Sequence, residues 1–225
     1  DSCDIGQLIM IDDGTLHLTV EEKKQDGLVC RINQGGLLKS GKSIALKGKD
    51  VKLPALTEAD LENLKVANEY GVTGIMQPFV RSPEDLIQVK DALNKCNASN
   101  LKIYAKIENM DGVEQCQNLL PYCDMIIIAR GDLGNAMPLS KLPRVQKELS
   151  DLCLKNGKPF MVVTQMLHSM HNAPFPTRAE VSDIFHAITD GASSVMLTGE
   201  TAAGKYPLES MKMMIDTVHE ALEYL

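Results

Sequence analysis

The sequence predicts an α/β protein with a parallel sheet and a small all-β segment at its N-terminus. Two observations carry that expectation. From about residue 53 onward, short apolar runs alternate with amphipathic helical stretches, the rhythm of βα units around a parallel sheet. Before that point, apolar residues alternate singly around turn signals, as half-buried strands do.

The β segment begins with Leu8-Ile9-Met10-Ile11, followed by Asp12-Asp13-Gly14 and the alternating Leu16, Leu18 and Val20. Asp-Gly between apolar runs favours a reversal, so this stretch reads as a hairpin. Gly27 to Asn33 reads as a further strand. Lys47-Gly48-Lys49-Asp50 followed by Leu53-Pro54 breaks the pattern and predicts a boundary, dividing the chain into 1–50 and 51–225. In the second part five stretches read as strands buried on both faces: Thr73 to Phe79, Leu101 to Ile107, Asp124 to Ala129, Phe160 to Thr164 and Ser194 to Thr198. Helix starts have a mechanism. Thr57 is placed to cap the first helix, Ser82 precedes Pro83 at a first helical position, and Thr177-Arg178-Ala179-Glu180 is a capping box.

Composition narrows the function. A net charge of -7 works against a nucleic-acid partner, because such binding rests on Lys and Arg neutralising phosphates. The six cysteines are scattered without a C-x-x-C pair, which predicts reduced thiols and a cytoplasmic protein. No run approaches the roughly 18 apolar residues of a membrane span, so no membrane association is expected.

Polar residues gather at the C-terminal ends of the strands: Lys106 and Glu108, Arg130 and Asp132, Thr164 and Gln165, Thr198 and Glu200. In a (β/α)8 TIM-type barrel that is the face where loops converge to build an active site, so the parallel part reads as a partial barrel of this type. Glu108 and Asp132, from neighbouring strand ends, suit a hard divalent cation such as Mg²⁺. Lys106 lies on the same side of its strand as Glu108 and adds a compact positive charge. A cation beside an ammonium is what a developing phosphoryl or enolate charge requires. The glycines of Arg130-Gly131-Asp132-Leu133-Gly134 allow backbone N–H groups to approach an anion closely.

Lys106-Ile107-Glu108-Asn109, Ala129 to Gly134, Gly157-Lys158-Pro159, Thr164-Gln165-Met166-Leu167, Pro176 to Glu180 and Leu197 to Ala202 follow one another in an order and spacing that resembles the pyruvate kinase family. The resemblance runs from Ile11-Asp12-Asp13-Gly14 to Tyr206-Pro207-Leu208-Glu209. It implies phosphoryl transfer from phosphoenolpyruvate to ADP, giving pyruvate and ATP after protonation of enolpyruvate. By it, Glu108 and Asp132 hold Mg²⁺ (or Mn²⁺), and Lys106 is a catalytic residue at the phosphoryl group and enolate. Arg130, Gly131, Asp132 and Thr164 belong to substrate binding, Thr164 also to the proton path, and Lys42 approaches the nucleotide phosphates. The resemblance further implies K⁺, a homotetramer, residues 1–50 as the remnant of a small β domain, and three earlier barrel strands before Asp1. Five strands cannot close an eight-stranded barrel, so little turnover is expected of these 225 residues alone. Pro78, Met110-Asp111, Asn135-Ala136-Met137, His168 and Phe175 stand where the family usually has Ser, His-Glu, Ile-Glu-Ile, Glu and Arg. They leave the lysine and carboxylate positions untouched.

Two readings compete: a metal-dependent lyase or aldolase handling pyruvate enolate, and a noncatalytic metabolite-binding homologue. Two local signals are set aside. Gly36-Leu37-Leu38-Lys39-Ser40-Gly41-Lys42-Ser43 fits the P-loop pattern, but Gly48 and Pro54 interrupt any helix that such a loop requires. His168 and His171 form an H-x-x-H pair without a third ligand nearby in sequence.

Overall fold

A computed structural model of the chain describes residues 3–12, 14–49 and 53–225. Asp13 of the expected hairpin and Asp50 of the expected boundary lie outside the described residues. Four strands, β1 (Leu8–Ile11), β2 (Leu16–Lys24), β3 (Gly27–Gln34) and β4 (Ile44–Leu46), form an antiparallel sheet in the order β3-β2-β1-β4. The hairpin is present. Ile11 pairs with Leu16, the Thr15 N–H donates to the Asp12 carbonyl at 3.0 Å, and Gly14 supplies φ +83°. Alternation buries Ile9, Ile11, Leu16 and Val20 on one face in a small core of their own.

The rest follows the βα rhythm. Helix α1 (Glu58–Val66) leads to β5 (Gly74–Gln77), α2 (Pro83–Lys95), β6 (Lys102–Ile107), α3 (Met110–Leu119) and β7 (Met125–Ala129). Then come α4 (Arg130–Ala136), α5 (Leu142–Lys155), β8 (Phe160–Val163), α6 (Arg178–Thr189), β9 (Ser194–Met196), α7 (Gly199–Ala202) and α8 (Pro207–Tyr224). The strands pair in parallel in the order β5-β6-β7-β8-β9. Sequential parallel neighbours with a helix after each are five strands of a (β/α)8 barrel.

The two faces of this sheet bury different clusters. Ile103, Ala105, Ile107, Ile126, Ile128, Phe160 and Val162 point toward the helices and join the main core. Tyr104, Ile127, Ala129, Met161, Val163 and Met196 share the opposite face. Strand periodicity puts Lys106 on that second face with Tyr104, two residues before it.

The caps explain where the helices begin. Thr57 Oγ1 accepts the Asp60 N–H at 3.2 Å while the Asp60 carboxylate accepts the Thr57 N–H at 2.7 Å. Thr177 and Glu180 form the same reciprocal pair. Ser82 stands at the N-cap of α2 but its side chain makes no capping bond. The Asp85 carboxylate instead accepts from the Arg81 backbone N–H at 2.9 Å. Replacing Thr177 by Ala is expected to cost about 1 kcal/mol in urea denaturation. A midpoint equal to the unaltered protein's would show that Glu180, bonded also to Ser169, fixes the helix start alone.

Candidate active site

The end of β6 sets the site's centre. Lys106 Nζ lies 2.7 Å from Glu108 Oε1, so the ammonium and the carboxylate do share one side of the chain. The Glu108 side chain is only 2% exposed, and its second oxygen accepts the Phe79 backbone N–H at 2.8 Å. Phe79 offers that N–H from a left-handed conformation, φ +49°, just past β5. Buried carboxylates persist when paired and hydrogen-bonded, and Glu108 has both kinds of partner. Asn109 then caps α3, its Oδ1 accepting the Gly112 N–H at 2.7 Å while its Nδ2 donates to the Val80 carbonyl.

Asp132 arrives from the adjacent strand. Lys106 pairs with Ile127 and Ile107 with Ile128 in the β6–β7 register, which brings the ends of the two strands level. The expected glycine turn after β7 is already helix. α4 starts at Arg130, and Asp132 lies in its first turn. A strand that passes directly into a helix leaves no slack, so the position of Asp132 follows from that of Ala129. The next strand supplies Thr164, immediately after β8. A Cβ added at Gly131 would lie 2.9 Å from the Thr164 methyl, so only glycine lets the two segments touch this closely.

Thr164 and Gln165 hold two successive left-handed conformations, φ +76° and +56°. Each such non-glycine residue costs roughly 1–3 kcal/mol unless its surroundings enforce it. The Arg130 guanidinium is part of those surroundings. It donates to the Thr164 carbonyl at 2.9 Å and to Asp183 on α6 at 2.8 Å, and touches Met166 Sδ at 2.9 Å. Sequence reasoning missed Asp183. A lone acidic residue on a helix surface carries no local signal of a partner 53 positions earlier.

Glu200 closes the row of strand ends by holding backbone. Its carboxylate accepts from the N–H groups of Leu167 at 3.1 Å and Thr198 at 2.9 Å. Burial works against its ionisation, but those N–H donors, its own backbone N–H and the nearby His171 together hold its carboxyl below the usual range. Glu180 behaves alike: burial raises it, and Ser169 and Thr177 donors pull it down further than burial lifts it. Carboxyls depressed in the folded state stabilise it fully above their unfolded value, about 4.3. That contribution fades as pH falls through the folded values. Melting temperature is therefore expected to drop steeply below about pH 4. Glu200→Gln should show a shallower drop, and an equal slope would exclude Glu200 as a source.

Lys42 is on the small sheet, in the loop before β4, with Nζ 2.8 Å from Asp12 Oδ1. The strand that follows it packs against α4, the helix carrying Asp132. The P-loop-like segment meets the three-residue strand Ile44–Leu46 where a P-loop requires a helix. His168 and His171 share one 3-10 turn with ring centroids 5.1 Å apart, and no group of three metal-ligating side chains occurs among the described residues. No described helix is long and apolar enough to cross a membrane. A groove of about 740 Å³ runs between the starts of α2 and α3 along Arg81, Glu84, Asp111 and Glu114. It is open and polar, and Lys106, Glu108 and Asp132 do not line it.

A family model described as "Pyruvate kinase, barrel domain" matches residues 1–211. A pyruvate kinase of Schizosaccharomyces pombe is 43% identical over 217 residues, covering 96% of this chain and 42% of the relative. A human pyruvate kinase is 42% identical over 217 residues, 96% of this chain and 38% of its own. One from Borreliella burgdorferi is 42% identical over 209 residues, 93% of this chain and 44% of the relative. The chain thus spans less than half the length of each of these relatives. A match along nearly all of this sequence, on a parallel β/α segment with lysine and carboxylates at its strand ends, shows that the chain belongs to the pyruvate kinase family.

Proposed function

We propose that the natural protein carrying this chain transfers a phosphoryl group from phosphoenolpyruvate to ADP, forming pyruvate and ATP. The observation that carries this reading is the Lys106–Glu108 pair at the end of β6, level with the strand end that leads to Asp132. Glu108 and Asp132 offer hard oxygen donors of the kind Mg²⁺ or Mn²⁺ takes, and Glu108 is a buried anion, so the residues fit a divalent ion. When bound there, the ion supplies Lewis-acid stabilisation of negative charge on substrate oxygens. K⁺, which the family generally uses, is proposed as a second cation.

The chain's own residues do the rest. Lys106 sets its ammonium against the charge spread over the transferring phosphoryl group and then over the enolate oxygen, where a fixed cation is worth more than in water. The Phe79 N–H holds one Glu108 oxygen so that the carboxylate cannot swing to follow Lys106. Gly131 and Asp132 present backbone at the substrate carboxylate, and Thr164 borders the same space with a hydroxyl able to pass a proton to enolpyruvate. Arg130 contributes to this binding segment through its position, because its guanidinium is committed to Asp183 and Thr164. Lys42 serves the nucleotide phosphates from the small sheet, which reaches α4 through β4.

Residues 1–50 are proposed as part of a small β domain over the barrel segment 51–225, a division supported by their separate cores. Homotetramer assembly and a cytoplasmic location, with no nucleic-acid or membrane partner, complete the proposal. The test is a coupled assay of the natural protein with phosphoenolpyruvate, ADP and Mg²⁺. Nucleotide-dependent ATP formation supports the reading. Metal-dependent cleavage without nucleotide, or oxalate binding by calorimetry with no turnover, would replace it with a lyase or a sensing protein.

A further inference from the structure

We propose that Asp183 and Arg130 form a positioning device that sets Thr164, making Asp183 a determinant of catalysis although it lies on α6 and acts through Arg130. The inference rests on the kinase reading above, because it assigns Thr164 its task at substrate.

Thr164 follows Val162-Val163 at the end of β8, where β-branched residues favour extended backbone. Its φ of +76°, followed by +56° at Gln165, runs against that preference and turns the chain sharply out of the strand. Such a conformation persists only where neighbours over-determine it. Two neighbours do so. The Thr164 methyl rests on Gly131, which selects the side-chain rotamer and with it the direction of the hydroxyl. The Thr164 carbonyl receives Arg130 Nη2 at 2.9 Å, which fixes the peptide plane.

That second tie needs a third party. Arg130 reaches Thr164 across the gap between neighbouring strand ends, and a lone guanidinium, 12% exposed, would gain more from water than from one neutral carbonyl. Asp183 supplies the anion. Arg130 Nη1 lies 2.8 Å from its Oδ1 and 2.7 Å from its Oδ2, with Gln146 Oε1 a further acceptor at 3.5 Å. The planar fork divides its donors between α6 on one side and the end of β8 on the other. Lysine, a single point charge, cannot span both. Arg130 is also the first residue of α4, so the fork that fixes Thr164 is rooted one residue before Gly131 and two before Asp132. The pair therefore ties the Thr164 peptide, and with it the hydroxyl, to the start of α4, anchored on α6.

An ion pair that only held the fold together would act on stability and not through Thr164, and a double-mutant cycle separates the two. In the natural protein, Asp183→Ala is expected to lower kcat up to about 10²-fold, the scale of a reacting group misplaced by an ångström, with KM for ADP unchanged. Asp183→Glu, which keeps the anion on the same helix face, should recover most of the loss. In a Thr164→Ala background, Asp183→Ala should add no more than about a twofold change, because the device has nothing left to position. If Asp183→Ala does not fold, Arg130→Lys takes its place in the same cycle. Independent, multiplying losses in the cycle, or a kcat equal to the unaltered protein's, would overturn the positioning role alone. A natural protein that forms no ATP from phosphoenolpyruvate and ADP would instead fail the kinase reading, and this role with it.

Discussion

In the natural protein, replacing Lys106 by Met is expected to lower kcat for the proposed phosphoryl transfer by about 10²- to 10³-fold, the usual cost of deleting one preorganised electrostatic group. Methionine keeps an unbranched apolar stem beside Tyr104, so packing on that face of β6 is conserved and the change falls on the charge. The ammonium at 2.7 Å is also the cationic partner of Glu108, whose side chain is almost fully buried. Removing it leaves the carboxylate with the Phe79 N–H but without its cationic partner, and an uncompensated buried anion destabilises a fold. A divalent ion at Glu108 and Asp132 would restore that compensation. Lys106→Met should therefore melt earlier than the unaltered protein without Mg²⁺, and the gap should narrow when Mg²⁺ is added. Steady-state kinetics and thermal melts with and without Mg²⁺ measure both halves. A rate within about tenfold of the unaltered enzyme would remove Lys106 from the chemistry. A gap that Mg²⁺ leaves unchanged would remove Glu108 from the metal.

What the sequence made legible was periodic, and what it hid was long-range. Ile126, Ile127 and Ile128 announce a strand buried on both faces, and Thr177 with Glu180 announces a helix start within four residues. Both signals are local, and both elements appear where expected. Strand ends came out shorter than their apolar runs because each chain turns toward its loop before the last apolar residue pairs. Thr73 to Phe79 reduces to Gly74–Gln77, and Ser194 to Thr198 to Ser194–Met196. Ile44–Leu46 is too short for alternation to register, and it is a strand because Ile9 to Ile11 pair with it. At the site, the residue types at the strand ends were visible, and so was the shared side of Lys106 and Glu108. The Arg130 partners were not, since Asp183 and Thr164 come from other βα units. Nor were the left-handed conformations at Thr164 and Gln165, because tertiary ties override the extended preference of a Val-Val-Thr run.

Leu133→Ala is expected to cost about 2–5 kcal/mol of stability, the range for removing a large aliphatic side chain from a packed core. It should also weaken divalent-metal binding, and the reason lies in how α4 is anchored. The helix has seven residues and no side-chain cap at its N-terminus, and Leu133 is its one buried residue. A helix of two turns does not persist on propensity in water, so its packing is what makes it a helix. Leu133 is fully buried in the main core while Asp132, the residue before it, carries the proposed metal carboxylate. Truncating the anchor leaves the Arg130 fork, the Gly131–Thr164 contact and the packing of β4 and α5 along the helix, none of which replaces a fully buried side chain next to Asp132. Leu133→Met, which nearly conserves volume, should lose less than about 1.5 kcal/mol and retain metal affinity. Urea denaturation and Mg²⁺ titration of the two variants separate the outcomes. If Leu133→Ala loses stability yet binds Mg²⁺ as the unaltered protein does, Asp132 is not held by α4 packing. Its position would then be set by other ties of the segment, the Arg130 fork and the Gly131–Thr164 contact among them.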